Sequence, residues 1–254
     1  MTTRVSVRTS LIEAGRFART AWRSAPLACG LLMLALLVPV FLGNRVPGLW
    51  LALPLVVGQV AALAAGWTGL LRAAQGQSGF ARLGGDALRI LGSILLNSLF
   101  LALIVIVLGI VLLGTAGATG LEAGDDLAMA TQAAVSGGGW KTLVLLTVAV
   151  AALLLVLTLS ARLMAAGPAT VAEKRVISLA ALGWTRGAGV RPAVGLIVVL
   201  LPYELLILSV LLRPQAGAWV DWIWAAVLAF VQFPLLAGYA TGLWRTTQTQ
   251  ESPE

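Results

Sequence analysis

The chain reads as an all-α integral membrane protein of six transmembrane helices, with both termini in the cytoplasm. Three observations predict this class. Apolar residues make up 59% of the 254 and charged residues only 11%, against roughly 25% charged in soluble domains. The apolar residues gather in six runs, near 26–43, 48–70, 90–113, 142–161, 193–212 and 218–241, and a span needs about 20 mainly apolar residues. The basic residues are dense in alternate gaps between those runs and sparse in the others.

Each run must be helical, because an open strand in lipid leaves backbone donors and acceptors unpaired. The first begins at Pro26 and is followed by "NRVPG" without a small-residue cleavage pattern, so it is expected to stay as a span. An inside N-terminus puts fourteen basic residues in the cytoplasm and three outside, Arg45, Lys141 and Arg213; cytoplasmic loops carry the excess. Trp50, Trp140, Trp219, Trp222 and Trp224 fall at the outer ends of spans, and Trp22, Trp67, Trp184 and Trp244 near the inner ends. Such aromatic belts favour the headgroup layers.

Residues 1–245 are expected to form one membrane domain, and 1–25 a helix lying in the cytoplasmic interface. On a helical wheel Arg4, Arg8, Arg16, Arg19 and Arg23 share one face, while Leu11, Ala14, Phe17, Ala18 and Ala21 occupy the other. Two further stretches also mix basic and apolar residues, "QSGFARLGGDALRILG" before the third span and the linker 162–192 before the fifth. "GFAR" echoes the earlier "RFAR". Either a three-fold repeat of interfacial helix and hairpin or mere similarity of composition explains this. The outer loop 114–141 carries Glu122, Asp125 and Asp126 without the regular oxygen spacing of a cation site. The tail 246–254 is polar and is expected to be disordered.

The sequence holds little chemistry. With no histidine, Ser–His and Cys–His nucleophiles and histidine zinc sites are excluded. Cys29 is the single cysteine and sits in an apolar run, as a small core hydrophobe would. "SGGGWKT" lacks the adjacent Gly-Lys of a phosphate loop. Gly58, Ala62 and Gly66 form a small-residue stripe suited to close helix contact. No cofactor or metal is expected. The net charge of +7 is spread between apolar runs, which argues against nucleic acid as partner.

Gln59, Asn97, Tyr203, Glu204 and Gln232 are the candidate polar site within the spans. A carboxylate in lipid costs several kcal/mol, so Glu204 in "LLPYELLIL" is the candidate intramembrane site. Pro202 interrupts the preceding turn. Glu204 is expected either to hydrogen-bond Gln59 or a carbonyl as structural glue, or to meet a proton, an ion or a polar headgroup.

The stretch "RLMAAGPATVAEKRVISLAALGWTRGAGVRP" at 162–192 resembles the linker of bacterial glycerophosphoryl diester phosphodiesterase membrane domains and related six-span families. Pro168, Glu173 and Thr185-Arg186-Gly187 fit that pattern, whereas Leu182 and Trp184 stand exchanged relative to it. The resemblance implies a stand-alone membrane module and carries over no catalytic residue. Phosphodiester chemistry in that family belongs to a separate soluble domain with histidines.

The expected function is therefore a non-enzymatic module of a bacterial inner membrane. It would bind anionic lipid headgroups, a membrane-protein partner or a second copy of itself. Arg16, Arg19, Arg23, Arg186 and Arg191, with Trp22 and Trp184, would supply the interface contact; the same residues also serve simply to anchor topology. The alternative is a small-solute or proton-coupled permease, with Glu204 as coupling carboxylate and Gln59, Asn97 and Gln232 lining the path.

Overall fold

The computed structural model describes residues 6–42, 49–77, 83–118, 139–185, 188–211 and 219–248. The described residues are helical, with no strand among them. In chain order the helices are α1 (Val7–Ser24), α2 (Pro26–Leu42), α3 (Leu49–Ala74), α4 (Leu83–Ala118), α5 (Trp140–Leu163), α6 (Ala166–Glu173), α7 (Ala180–Trp184), α8 (Arg191–Leu211), α9 (Trp219–Val227) and α10 (Phe233–Gln248). A π-helical turn at Leu228–Gln232 joins α9 to α10. Pro234 has no N–H to return to the preceding turn; the wider turn lets the Phe233 N–H donate to the Leu228 carbonyl and carries the helix through.

Five segments are long and apolar enough to cross a membrane, within 52–74, 83–117, 142–173, 191–208 and 219–248. Counting α2 with α1, from which it departs at 91°, gives up to six. The chain is thus a multi-pass helical protein. Its helices follow the expected runs closely, with two differences. Helix α10 continues through Gln248, three residues into the tail 246–254 expected to be disordered. The basic stretch before the third run does not form a separate interfacial helix from Leu83 onward, because those residues are the first turns of α4. At 36 residues, α4 is about 54 Å long at 1.5 Å per residue, well beyond a ~30 Å hydrocarbon layer. The acidic residues of the outer loop and the tail from 249 lie outside the described residues.

Burial is concentrated at one end of the bundle. Ala28, Cys29 and Leu32 of α2 pack with Leu70 and Leu71 of α3, Ile90 of α4 and Ala237 of α10. Ala14 of α1, Ala161 of α5, Leu196 and Val199 of α8 and Tyr239 of α10 form a second cluster. Small residues allow this closeness: a Cβ on Gly66 would lie 2.7 Å from Leu32, and one on Gly69 would lie 2.8 Å from Ala28. Of the expected stripe, Gly66 is used, whereas Gly58 has open space.

At the opposite end, α4 contributes no buried residue among those described beyond Ser93, α5 none before Ala161, and α8 none after Val199. Leucine, valine and isoleucine there are exposed on several faces, as at Leu99, Leu103, Val107 and Leu146. In lipid this costs nothing, because acyl chains are as apolar as a neighbouring helix.

Candidate functional site

The packed end carries a polar layer that ties the short helices to the long ones. The Asp86 carboxylate on α4 accepts from Arg72 at the end of α3 and, at 2.8 Å, from Arg89 one turn on. The Gln75 amide donates to the Pro168 carbonyl of α6 at 2.7 Å. Lys174 ends α6 in the left-handed conformation, and the chain then runs back along α4. There Ser93 donates to the Ile177 carbonyl, and Ser178 donates to the Asn97 side-chain oxygen at 2.6 Å. Arg162 holds the next turn, donating to Thr185 at 2.9 Å and to the Leu182 carbonyl at 2.7 Å.

Helix α1 is part of this layer. Its N-terminus is capped by Ser6, whose hydroxyl accepts the Thr9 N–H, satisfying one of the orphan donors of the first turn. Ser10, Ala14 and Ala21 are buried. A Cβ on Gly238 would lie 2.8 Å from the Ala14 Cα, and one on Gly242 would lie 2.7 Å from the Ser10 Cα. The pairing of 10 with 242 and 14 with 238 means that α1 and α10 run antiparallel with their backbones in contact. The "GYATG" of α10 has the Gly-xxx-Gly spacing that permits such an approach, and that signal was legible in the sequence. Arg245 joins the seam, donating to the Ala74 carbonyl at 3.0 Å with the Glu13 carboxylate 3.7 Å away.

With its small face docked, α1 turns Arg8, Arg16, Arg19 and Arg23 outward, all exposed. Trp22 is 52% exposed, with the Arg23 guanidinium 4.6 Å above its ring, a cation–π distance. Arg191 is exposed at the start of α8. Trp184 instead packs with Trp244 against the cluster of Ala165, Ala166 and Ala181, so its ring serves the core as much as an interface. Arg4 and Arg186 lie outside the described residues.

Four of the five candidate polar residues of the spans are engaged, each with a different element. Gln59 donates to the Ala35 carbonyl of α2 at 3.0 Å. The expected Gln59–Glu204 bond is not formed: α3 pairs with α2 as a hairpin, and the Gln59 side chain is turned to α2. Asn97 accepts from Ser178 of the returning chain. Gln232 is buried in the π-turn and donates to the Val199 carbonyl of α8 at 3.1 Å. The Tyr203 ring meets the edge of Trp224 at 5.9 Å. Glu204 is exposed and makes no hydrogen bond or ion pair among the described residues. Neither the bond to Gln59 nor one to a carbonyl is made.

Among the described residues no three His, Cys, Asp or Glu side chains gather as a metal site requires. No protein-family model matches the chain, nor does any curated protein or solved structure.

Proposed function

We propose that the chain is a non-enzymatic membrane module that binds anionic lipid headgroups through the arginine face of α1. One observation carries this reading: α1 is held at 91° to α2 with Ser10, Ala14 and Ala21 buried and four arginines exposed. With α2 crossing the bilayer, a helix at 91° to it would lie along the membrane surface, where each arginine would contribute about 1 kcal/mol of attraction to an anionic leaflet. The packed end also carries Arg72, Arg89, Arg162 and Arg245. The positive-inside rule therefore favours a cytoplasmic packed end with both termini inside. A bacterial inner membrane, rich in anionic lipid, is the proposed location. The resemblance of residues 162–192 to the phosphodiesterase membrane domain supports the same reading of a stand-alone module.

The permease reading asks Glu204, Gln59, Asn97 and Gln232 to line one path. Three of the four are bonded to three different elements, so the geometry supports it less.

The test is lipid selectivity at the protein surface. In vesicles of phosphatidylcholine and phosphatidylglycerol, spin-labelled phosphatidylglycerol is expected to be immobilised by the protein severalfold more than spin-labelled phosphatidylcholine. The R16Q/R19Q/R23Q variant brings the ratio close to one, and molar salt weakens it in the wild type. Equal immobilisation of both lipids by the wild type would sink the proposal.

A further inference from the structure

We propose that Glu204 seats a second copy of this chain, the two α8 helices meeting inside the membrane with carboxyl hydrogen-bonded to carboxyl across a two-fold axis. The argument begins with the two faces of α8. Ala193, Leu196 and Val199 are buried against the rest of the bundle. Val194, Ile197, Leu201, Leu205 and Leu208 are between 43% and 64% exposed and recur at helical spacing. Glu204 lies on that same exposed stripe and is its one polar member.

Depth rules out an easy escape to water. Glu204 is seven residues below Leu211, where α8 ends, about 10 Å at 1.5 Å per residue. A glutamate in that position is expensive in lipid unless it is paired. Among the described residues Glu204 has no hydrogen bond or ion pair. Gln59 and Gln232 donate elsewhere, and on the neighbouring side the Tyr203 ring is held against Trp224. None of the described residues satisfies it, and a partner chain can.

A second copy fits for two reasons. A carboxyl that carries its proton is both donor and acceptor, so two such groups complete each other with no third residue. The rest of the stripe is uniformly apolar and matches itself, as an isologous interface requires. Interhelical polar contacts in membranes contribute measurably to association. This inference is independent of the headgroup reading, which concerns the other end of the bundle.

The experiment reads association in vesicles as energy transfer between two fluorophore-labelled populations of the full chain over a range of protein-to-lipid ratios. Wild type is expected to self-associate, and E204Q, which keeps a donor and an acceptor, to retain most of that affinity. E204L is expected to weaken association at least about threefold. At dilutions where both proteins are monomeric its thermal midpoint matches the wild-type value, because Glu204 makes no hydrogen bond or ion pair among the described residues. In a C29A background, oxidation crosslinks E204C into dimers, whereas L103C on α4 remains monomeric. Undiminished association of E204L overturns the proposal, as does crosslinking at 103 without crosslinking at 204. Should E204L fail to fold, the crosslinking comparison decides alone, and a monomeric wild type at every ratio refutes the proposal outright.

Discussion

Replacing Asp86 by alanine is expected to lower stability by about 3–5 kcal/mol, the cost of stripping one partner from a buried ion pair. The Arg72 side chain is 12% exposed and the Asp86 side chain 6%, so neither can turn to water without moving a helix. The Arg72 Nε already lacks a partner; losing the carboxylate leaves its charge uncompensated between α3 and α4. Arg89 is different. Its side chain is 39% exposed and can rotate outward, so R89A should matter far less. Denaturation of purified protein in detergent measures both. The double variant R72M/D86L is expected to recover most of the loss, since an apolar pair of similar volume replaces a buried ion pair at little cost. A D86A protein as stable as wild type would contradict the buried pair.

Filling the α10 glycines is the second large effect. A Cβ at Gly238 or Gly242 meets backbone atoms of Ala14 and Ser10, and backbone cannot rotate away as a side chain can. Each alanine should cost about 1–3 kcal/mol, the usual range for overpacking. A leucine at either position cannot be housed at all and is expected to lift α1 off the bundle. Limited proteolysis then cuts within residues 7–24, and the selectivity for phosphatidylglycerol falls along with it. G58L is the control, because open space surrounds Gly58, and it should leave both unchanged. Equal protease resistance of G238L and wild type would refute the docked helix.

What the sequence disclosed and what it hid divide along a physical line. Length and hydropathy are set by the bilayer, so the helices were legible to within a few residues at most ends, and the arginine face of α1 was legible as the exposed side of a helix. Neighbour order is another matter. A polar residue's position along a helix fixes its depth but not the helix it faces, and lipid rewards every apolar face equally. Gln59 and Glu204 both lie inside apolar runs, yet the α2–α3 hairpin gives Gln59 to Ala35. Asn97 does lie inside a segment long and apolar enough to span, but its partner was hidden. It sits where the chain from α6 returns along α4, and Ser178 meets it there.

Asp86 was hidden for a related reason. The mix of basic and apolar residues around it suggests an interfacial helix, where a carboxylate needs no explanation. Because α4 instead runs straight through these residues, Asp86 lands against the end of α3 and becomes a buried partner. The inner tryptophans show the same limit. Trp67 packs edge-on against Phe233 at 6.1 Å, and Trp184 and Trp244 pack on alanines. Their placement near span ends fitted an aromatic belt, but their surroundings are those of a core.

The most direct test of the central claim is the depth of α1 in a bilayer. Nitroxides placed singly at positions 8, 16, 19 and 23 in a C29A background, in vesicles containing phosphatidylglycerol, report depth through their relative accessibility to oxygen and to a nickel chelate. All four belong to the exposed face of one helix lying along the surface, so all four are expected at the same headgroup depth within a few ångströms. A depth that changes steadily from position 8 to position 23, by up to about 22 Å at 1.5 Å per residue, would mean that α1 enters the membrane. The arginine face could not then serve as a headgroup site.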